Sequence, residues 1–134
     1  MASIVRVEGI GEAYGRKLEA AGIKTTEDLL AEGSTAKGRK AIAERTGIGD
    51  RLILKWVNHV DLFRVKGVAG QYAELLEAAG VDTVAELAQR RPENLHPKLG
   101  ETNAARKLAR KLPALQQVAG WVAQAQALPR AVQY

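Results

Sequence analysis

The amino-acid sequence predicts an all-α protein in which one helical pattern is written twice. Three observations carry this expectation. Residues 6–29 and 64–87 align without a gap at a constant offset of 58 residues. Within each copy apolar residues recur at helical spacing and the run stops at a glycine. No segment alternates apolar and polar residues over the length of a strand, so no β-sheet is expected.

The repeat is specific. Arg6, Val7, Gly9 and Tyr14 match Arg64, Val65, Gly67 and Tyr72. Leu18-Glu19-Ala20-Ala21-Gly22 matches Leu76-Glu77-Ala78-Ala79-Gly80, and Thr25 and Leu29 match Thr83 and Leu87. Chance rarely aligns so many residues without a gap, so the pattern indicates an internal duplication. It places a first copy at residues 1–61 and a second, divergent copy with extra C-terminal helices at 62–134, fused into one compact unit.

The elements follow in order. Tyr14, Leu18 and Ala21, like Tyr72, Leu76 and Ala79, fall at i, i+4 and i+7 of a helix, and Gly22 or Gly80 suits the left-handed position that ends it. Thr25 with Asp28, and Thr83 with Glu86, have the spacing of an N-cap and its acidic partner three residues on. Ser34-Thr35 opens a helix over residues 36–45 that Thr46-Gly47 closes. Gly49-Asp50 then begins the most hydrophobic helix, with Leu52, Ile53, Trp56, Val57 and Val60 on one face and Arg51, Lys55 and Asn58 pointing away. In the second copy Arg91-Pro92-Glu93 starts a helix, His96-Pro97 interrupts it, residues 102–112 resume it and Pro113 ends it. A last helix covers roughly residues 114–128 before Pro129.

Composition narrows the function classes. With 46% hydrophobic and 26% charged residues in 134, the chain is neither a disordered segment nor a membrane protein. Its first residues lack an apolar stretch of signal-peptide length, so a cytoplasmic location is expected. The absence of cysteine excludes disulfides and thiolate metal sites, and two histidines leave little for a histidine site. No metal, cofactor or small-molecule substrate is expected. A net charge of +5 and a pI near 9.7 favour polyanionic partners. The charge is uneven: residues 37–55 carry six basic residues against Glu44 and Asp50, and residues 90–111 carry seven against Glu93 and Glu101, while residues 62–88 are net acidic.

Two segments read Gly-apolar-Gly-acidic between predicted helices: Gly9-Ile10-Gly11-Glu12 and Gly47-Ile48-Gly49-Asp50. A glycine pair allows a sharp turn, the isoleucine between them plugs the core, and the helix that follows starts with outward N–H groups suited to an anion. Together with Tyr14, Leu18, the run Ala21-Gly22-Ile23, Thr25, Leu29 and Lys55, these segments resemble the helix-hairpin-helix superfamily. They are similar to the paired hairpin domain at the N-terminus of archaeal recombinases and to hairpin modules of DNA repair proteins. The whole chain resembles an uncharacterised bacterial family of tandem helix-hairpin-helix proteins, most strongly over residues 5–88. The resemblance implies backbone and basic side-chain contacts to double-stranded DNA without base readout. It implies Gly9, Ile10 and Gly11 with Arg16 and Lys17, and Gly47, Ile48 and Gly49 with Arg51 and Lys55, as the contact residues.

The second copy departs from the pattern. Its hairpin reads Gly67-Val68-Ala69-Gly70, the basic pair Arg16-Lys17 becomes Glu74-Leu75, and at the place of a fourth hairpin Pro97-Lys98-Leu99-Gly100-Glu101 is a remnant. Hairpin 67–70 is therefore expected to pack without binding DNA. DNA contact in this copy is expected through Arg106, Lys107, Arg110 and Lys111, on one face of a helix whose other face holds Ala105, Leu108, Ala109 and Leu112. Trp56 and Trp121 read as core anchors, and His59 and His96 as surface or capping residues. Hairpin relatives that cleave glycosidic bonds use a lysine and an aspartate. Lys17 and Asp28 supply those types, but the chain lacks the extra domain that would hold a flipped base, so no catalysis is expected. The expected function is low-specificity binding of double-stranded DNA. The alternative is a protein-interaction module, suggested by the altered second copy and its acidic stretch.

Overall fold

A computed structural model describes residues 3–7, 9–68 and 70–134. Among them the regular elements are a short 3-10 helix, Ile4–Arg6, and α1 (Glu12–Ala20), α2 (Thr26–Gly33), α3 (Ala36–Thr46), α4 (Asp50–Leu62), α5 (Gly70–Ala78), α6 (Val84–Ala88), α7 (Pro92–Arg106) and α8 (Leu115–Ala127). An isolated bridge, Ser3 with Thr25, stands in place of any sheet among these residues. The chain divides into two compact units. Unit 1 runs to Asp61 and takes in Ala131–Tyr134; unit 2 is Leu62–Arg130.

The helix boundaries have local causes. In unit 1 the Thr25 hydroxyl accepts from the Asp28 N–H and the Asp28 carboxylate accepts from the Thr25 N–H, a complete capping box that starts α2. Thr35 accepts from the Gly38 N–H to start α3. In unit 2 Thr83 accepts from the Glu86 N–H to start α6, and Pro92 occupies the first position of α7, where its missing N–H costs nothing. Gly22 and Gly80 both take positive φ after α1 and α5, and Ile23 and Val81 return their N–H groups to the Leu18 and Leu76 carbonyls.

Each unit buries its own core. Ile4, Ile10, Leu18, Ile23, Leu29, Ile42, Ile53, Trp56 and Val57 fill unit 1. Leu75, Leu76, Val81, Leu87, Leu99, Val118 and Trp121 fill unit 2, where α8 lies against α6 and α7. The tryptophans are core anchors: Tyr14 tilts against Trp56 at 5.2 Å between ring centroids, and Tyr72 against Trp121 at 5.3 Å.

Three sequence expectations are corrected. On α4, Leu52, in the first turn, is 36% exposed, whereas Asn58 is buried because residues 56–62 are buried without a break; for the same reason His59, read as a surface or capping residue, is 1% exposed. His96 is half-buried, with Nε2 3.0 Å from the Pro113 carbonyl. The third correction is to α7. It runs unbroken through Pro97 and ends at Arg106, so residues 97–101 lie inside a helix and form no hairpin remnant.

The segment 131–134 belongs to unit 1 although its sequence position groups it with the second copy. Arg39, 6% exposed on α3, explains this: its guanidinium donates to the Gly33 carbonyl at 2.9 Å and to the Gln133 carbonyl at 2.7 Å. The Gln133 N–H returns a bond to the Ser34 carbonyl at 2.7 Å, and Val132 is buried. A buried cation is tolerable here because its donors meet carbonyl oxygens.

Candidate nucleic-acid interface

The first glycine turn of unit 1 is built from below. Val7 and Ile10 donate in succession to the Ile4 and Val7 carbonyls, which carries the chain from the 3-10 helix into the turn. Gly9 has φ +89, and a methyl group there would stand 3.4 Å from Trp56 Nε1, so both conformation and space favour glycine. Ile10 is fully buried and Gly11 is exposed. The Gly15 N–H bonds to the Gly11 carbonyl, so the amides of residues 12–14 precede the helical ladder of α1 and are the donors it leaves without an intrahelical partner.

The second turn repeats this plan. Gly47, with φ +75, ends α3 by returning its N–H to the Ala43 carbonyl at 2.8 Å. Ile48 is buried, Gly49 is exposed, and Ile53 donates to the Gly49 carbonyl at the start of α4. Gly49 lies outside the left-handed region, and a methyl group on it would meet nothing within 4 Å. The fold therefore leaves glycine at 49 unexplained. Trp56, which backs the first turn, stands about 9 Å of helical rise beyond Asp50, so α4 is the strut that spaces the two turns.

Arg16, Lys17, Arg51 and Lys55 are all exposed. Arg16 pairs with Glu12 at 3.0 Å, an exposed i,i+4 contact of the kind worth about 0.3–0.5 kcal/mol. Arg51 lines a cleft of about 330 Å³ with Ala36, Arg39, Lys40, Asp50 and Leu54. Lys40 was not singled out in the sequence, although it lies in the basic run 37–55. Arg39 is committed to carbonyls, and the Asp50 carboxylate offsets one charge, so Lys40 and Arg51 are the cleft's outward cations. Asp28 is occupied by its capping box; the N–H of Lys24, then the hydroxyl and N–H of Thr25, hold its carboxyl below the ordinary value against an opposing desolvation effect.

Unit 2 keeps the scaffold of the first turn. Val65 and Val68 donate in succession to the Leu62 and Val65 carbonyls, Gly67 has φ +93, and a methyl group on it would stand 3.0 Å from Trp121 Nε1. Gln124 of α8 pins this turn, accepting from the Lys66 N–H and donating to its carbonyl. Ala69, the departure from the glycine pattern, lies outside the described residues. Leu75 is buried and Glu74 half-buried, where unit 1 has exposed Arg16 and Lys17.

The basic quartet of unit 2 does not share a helix face. Arg106 is the last residue of α7, Lys107 takes the left-handed conformation with φ 51 and donates to the Asn103 carbonyl, and Arg110 and Lys111 lie in the following loop. The Asn103 side chain ends the helix: Nδ2 donates to the Ala109 carbonyl at 3.0 Å and Oδ1 accepts from the Ala109 N–H at 2.9 Å. This two-point grip gives the loop backbone partners outside the helix.

A family model described as a domain of unknown function (DUF4332) matches residues 8–128. The chain belongs to this family. No curated protein and no solved structure matches it. In this DUF4332 chain the match takes in every turn described above and stops short of segment 131–134. Among the described residues no cluster of three or more His, Asp or Glu is placed to hold a metal ion, and no helix is long and apolar enough to cross a membrane.

Proposed function

We propose that this DUF4332 chain is a non-catalytic, cytoplasmic member of the helix-hairpin-helix superfamily, arisen by duplication, that binds double-stranded DNA through backbone phosphates without reading sequence. The observation that carries the reading is the pair of turns in unit 1. Each buries an isoleucine between two exposed glycines, each opens a helix whose first amides lack intrahelical partners, and α4 joins them while presenting Arg51 and Lys55. Backbone amides and exposed cations of this kind suit phosphate oxygens and carry no base code. The shared offset of the turn hydrogen bonds, the two tyrosine–tryptophan pairs and the two tryptophan-backed glycines support the duplication.

The test is fluorescence anisotropy of a labelled random duplex titrated with protein at low and at physiological salt. Binding should weaken with salt, the logarithmic slope reaching about −0.9 for each phosphate neutralised. Arg51→Glu with Lys55→Glu should abolish it, and unchanged affinity would refute this site. Exposed Leu112 and Leu115 on unit 2, 37% and 46% accessible, favour a second reading as a protein-interaction module. That reading predicts no duplex affinity at physiological salt.

A further inference from the structure

We infer that unit 2 contains a phosphate-binding cleft of its own, made where the loop after α7 folds over the turn before α5. The cleft is about 440 Å³ and is lined by Gly67, Gly70, Gln71 and Tyr72 on one side and Arg110 and Lys111 on the other. It uses none of the residues of unit 1 and stands whether or not unit 1 holds DNA.

The loop is fixed by its backbone, which leaves its side chains for other work. The Tyr72 hydroxyl donates to the Lys111 carbonyl at 3.1 Å, the Arg110 N–H donates to Gln71 Oε1 at 3.3 Å, and Asn103 grips Ala109 from the α7 side. The heads of Arg110 and Lys111 have neither a hydrogen-bond nor an ion-pair partner among the described residues, yet both border the same cleft. Because Gln71 Oε1 is taken by an N–H group, the side chain's remaining polar group is its NH2, a donor. Among the described residues no carboxylate lines the cleft. Arg110, Lys111 and Gln71 thus offer donors only, with two positive charges held next to each other by a backbone that is already ordered. Such a set selects an anion, and the guanidinium fork beside an ammonium point charge matches the several oxygens of a phosphate. The shared chemistry is a phosphate group, supplied either free or as a nucleic-acid phosphodiester.

Amide NMR spectra of the full chain, titrated separately with inorganic phosphate and with a short random DNA duplex, test this. Saturable shifts of the Gln71, Tyr72, Arg110 and Lys111 amides with either ligand, lost in the Arg110→Gln/Lys111→Gln double variant, are expected. Both side chains are exposed, so the variant should keep the wild-type spectrum elsewhere; Lys111→Gln alone, with a partial loss, serves as a second check. Shifts with phosphate alone identify a free anion as the ligand, and shifts with duplex alone identify the phosphodiester. No shift at these amides with either, or shifts that survive the double variant, would overturn the proposal. Failure of the unit 1 reading shows separately, as the absence of shifts at residues 9–17 and 47–55.

Discussion

In unit 1 the chain passes from α3 to α4 through Gly47, Ile48 and Gly49; in unit 2 it passes from α7 to α8 through residues 107–114. The two passages begin alike. Gly47 and Lys107 both take the left-handed conformation and both return their N–H to the carbonyl four residues back at 2.8 Å. They then diverge. Gly49 is exposed and leads at once into α4, whereas Ala109 is gripped by Asn103, and the following residues lie over the turn before α5. A connection between two helices can thus present bare backbone, as at residues 47–49, or run on as a cationic loop, as at residues 107–114, and its length decides which.

The largest effects test what the units share. Trp56→Ala and Trp121→Ala each remove the ring that backs a glycine turn and packs, tilted, against a tyrosine, and each should cost about 3–5 kcal/mol in denaturant unfolding followed by circular dichroism. A large loss in one variant and a negligible one in the other would break the equivalence of the two turns. Next comes a difference. Where α3 buries Arg39 and Ile42, α7 buries Leu95 and Leu99. Arg39→Leu should cost about 2–3 kcal/mol through loss of two charge-assisted bonds to carbonyls. It should also remove the hydrogen-exchange protection of the Gln133 amide. Retained protection there would show that segment 131–134 is held by other contacts.

Much of this was legible in the sequence, for reasons that differ by element. Capping threonines and glycine stops were readable because their causes lie within a turn of the residue itself. The end of α7 was not. Residues 102–112 have helical spacing, but Asn103 closes the helix by gripping Ala109, a side-chain to backbone pairing with no periodic signature. Pro97 misled in the opposite direction: a proline inside a helix ordinarily marks a break, and α7 continues through it. Arg39 read as one more basic residue of the run 37–55; only its distant partner, the Gln133 carbonyl, shows that it is internal. Of the candidate site, the two glycine turns were legible as motifs and Arg110 and Lys111 as cations, while the cleft beside Gly67 joins segments about forty positions apart and could not be read from either one.

A smaller pair of effects sharpens the comparison between Gly47 and Lys107. A residue with Cβ in the left-handed region costs about 1–2 kcal/mol relative to glycine, partly offset by the larger entropy glycine loses on folding. Gly47→Ala should therefore destabilise unit 1 by about 1 kcal/mol, and Lys107→Gly should stabilise unit 2 by a similar amount. Gly49→Ala is the control, since a methyl group there meets nothing. Thermal unfolding should leave it at the wild-type midpoint, while duplex affinity in the anisotropy assay falls. Equal affinity for Gly49→Ala and wild type would remove the argument that a ligand approaches this backbone.

The smallest effect separates the two helix starts by pH. Asp28 closes a reciprocal capping box, whereas Glu86 pairs with Arg90 at 3.1 Å. The N–H groups of Lys24 and Thr25 and the Thr25 hydroxyl favour the charged carboxylate, so the folded pKa of Asp28 lies below its ordinary value of 3.8. The sign follows from linkage: the unfolded chain takes up the proton first as pH falls. Stabilisation by Asp28 is complete above the unfolded value and is lost as pH drops through the lower folded one. Asp28→Asn should thus lower the melting temperature slightly at neutral pH and flatten its decline below pH about 4, because the amide cannot hold the charge-assisted bonds at any pH. If the variant and the wild type decline in parallel through that window, the box is not the acid-sensitive element of α2, and the difference between the two helix starts carries no pH signature.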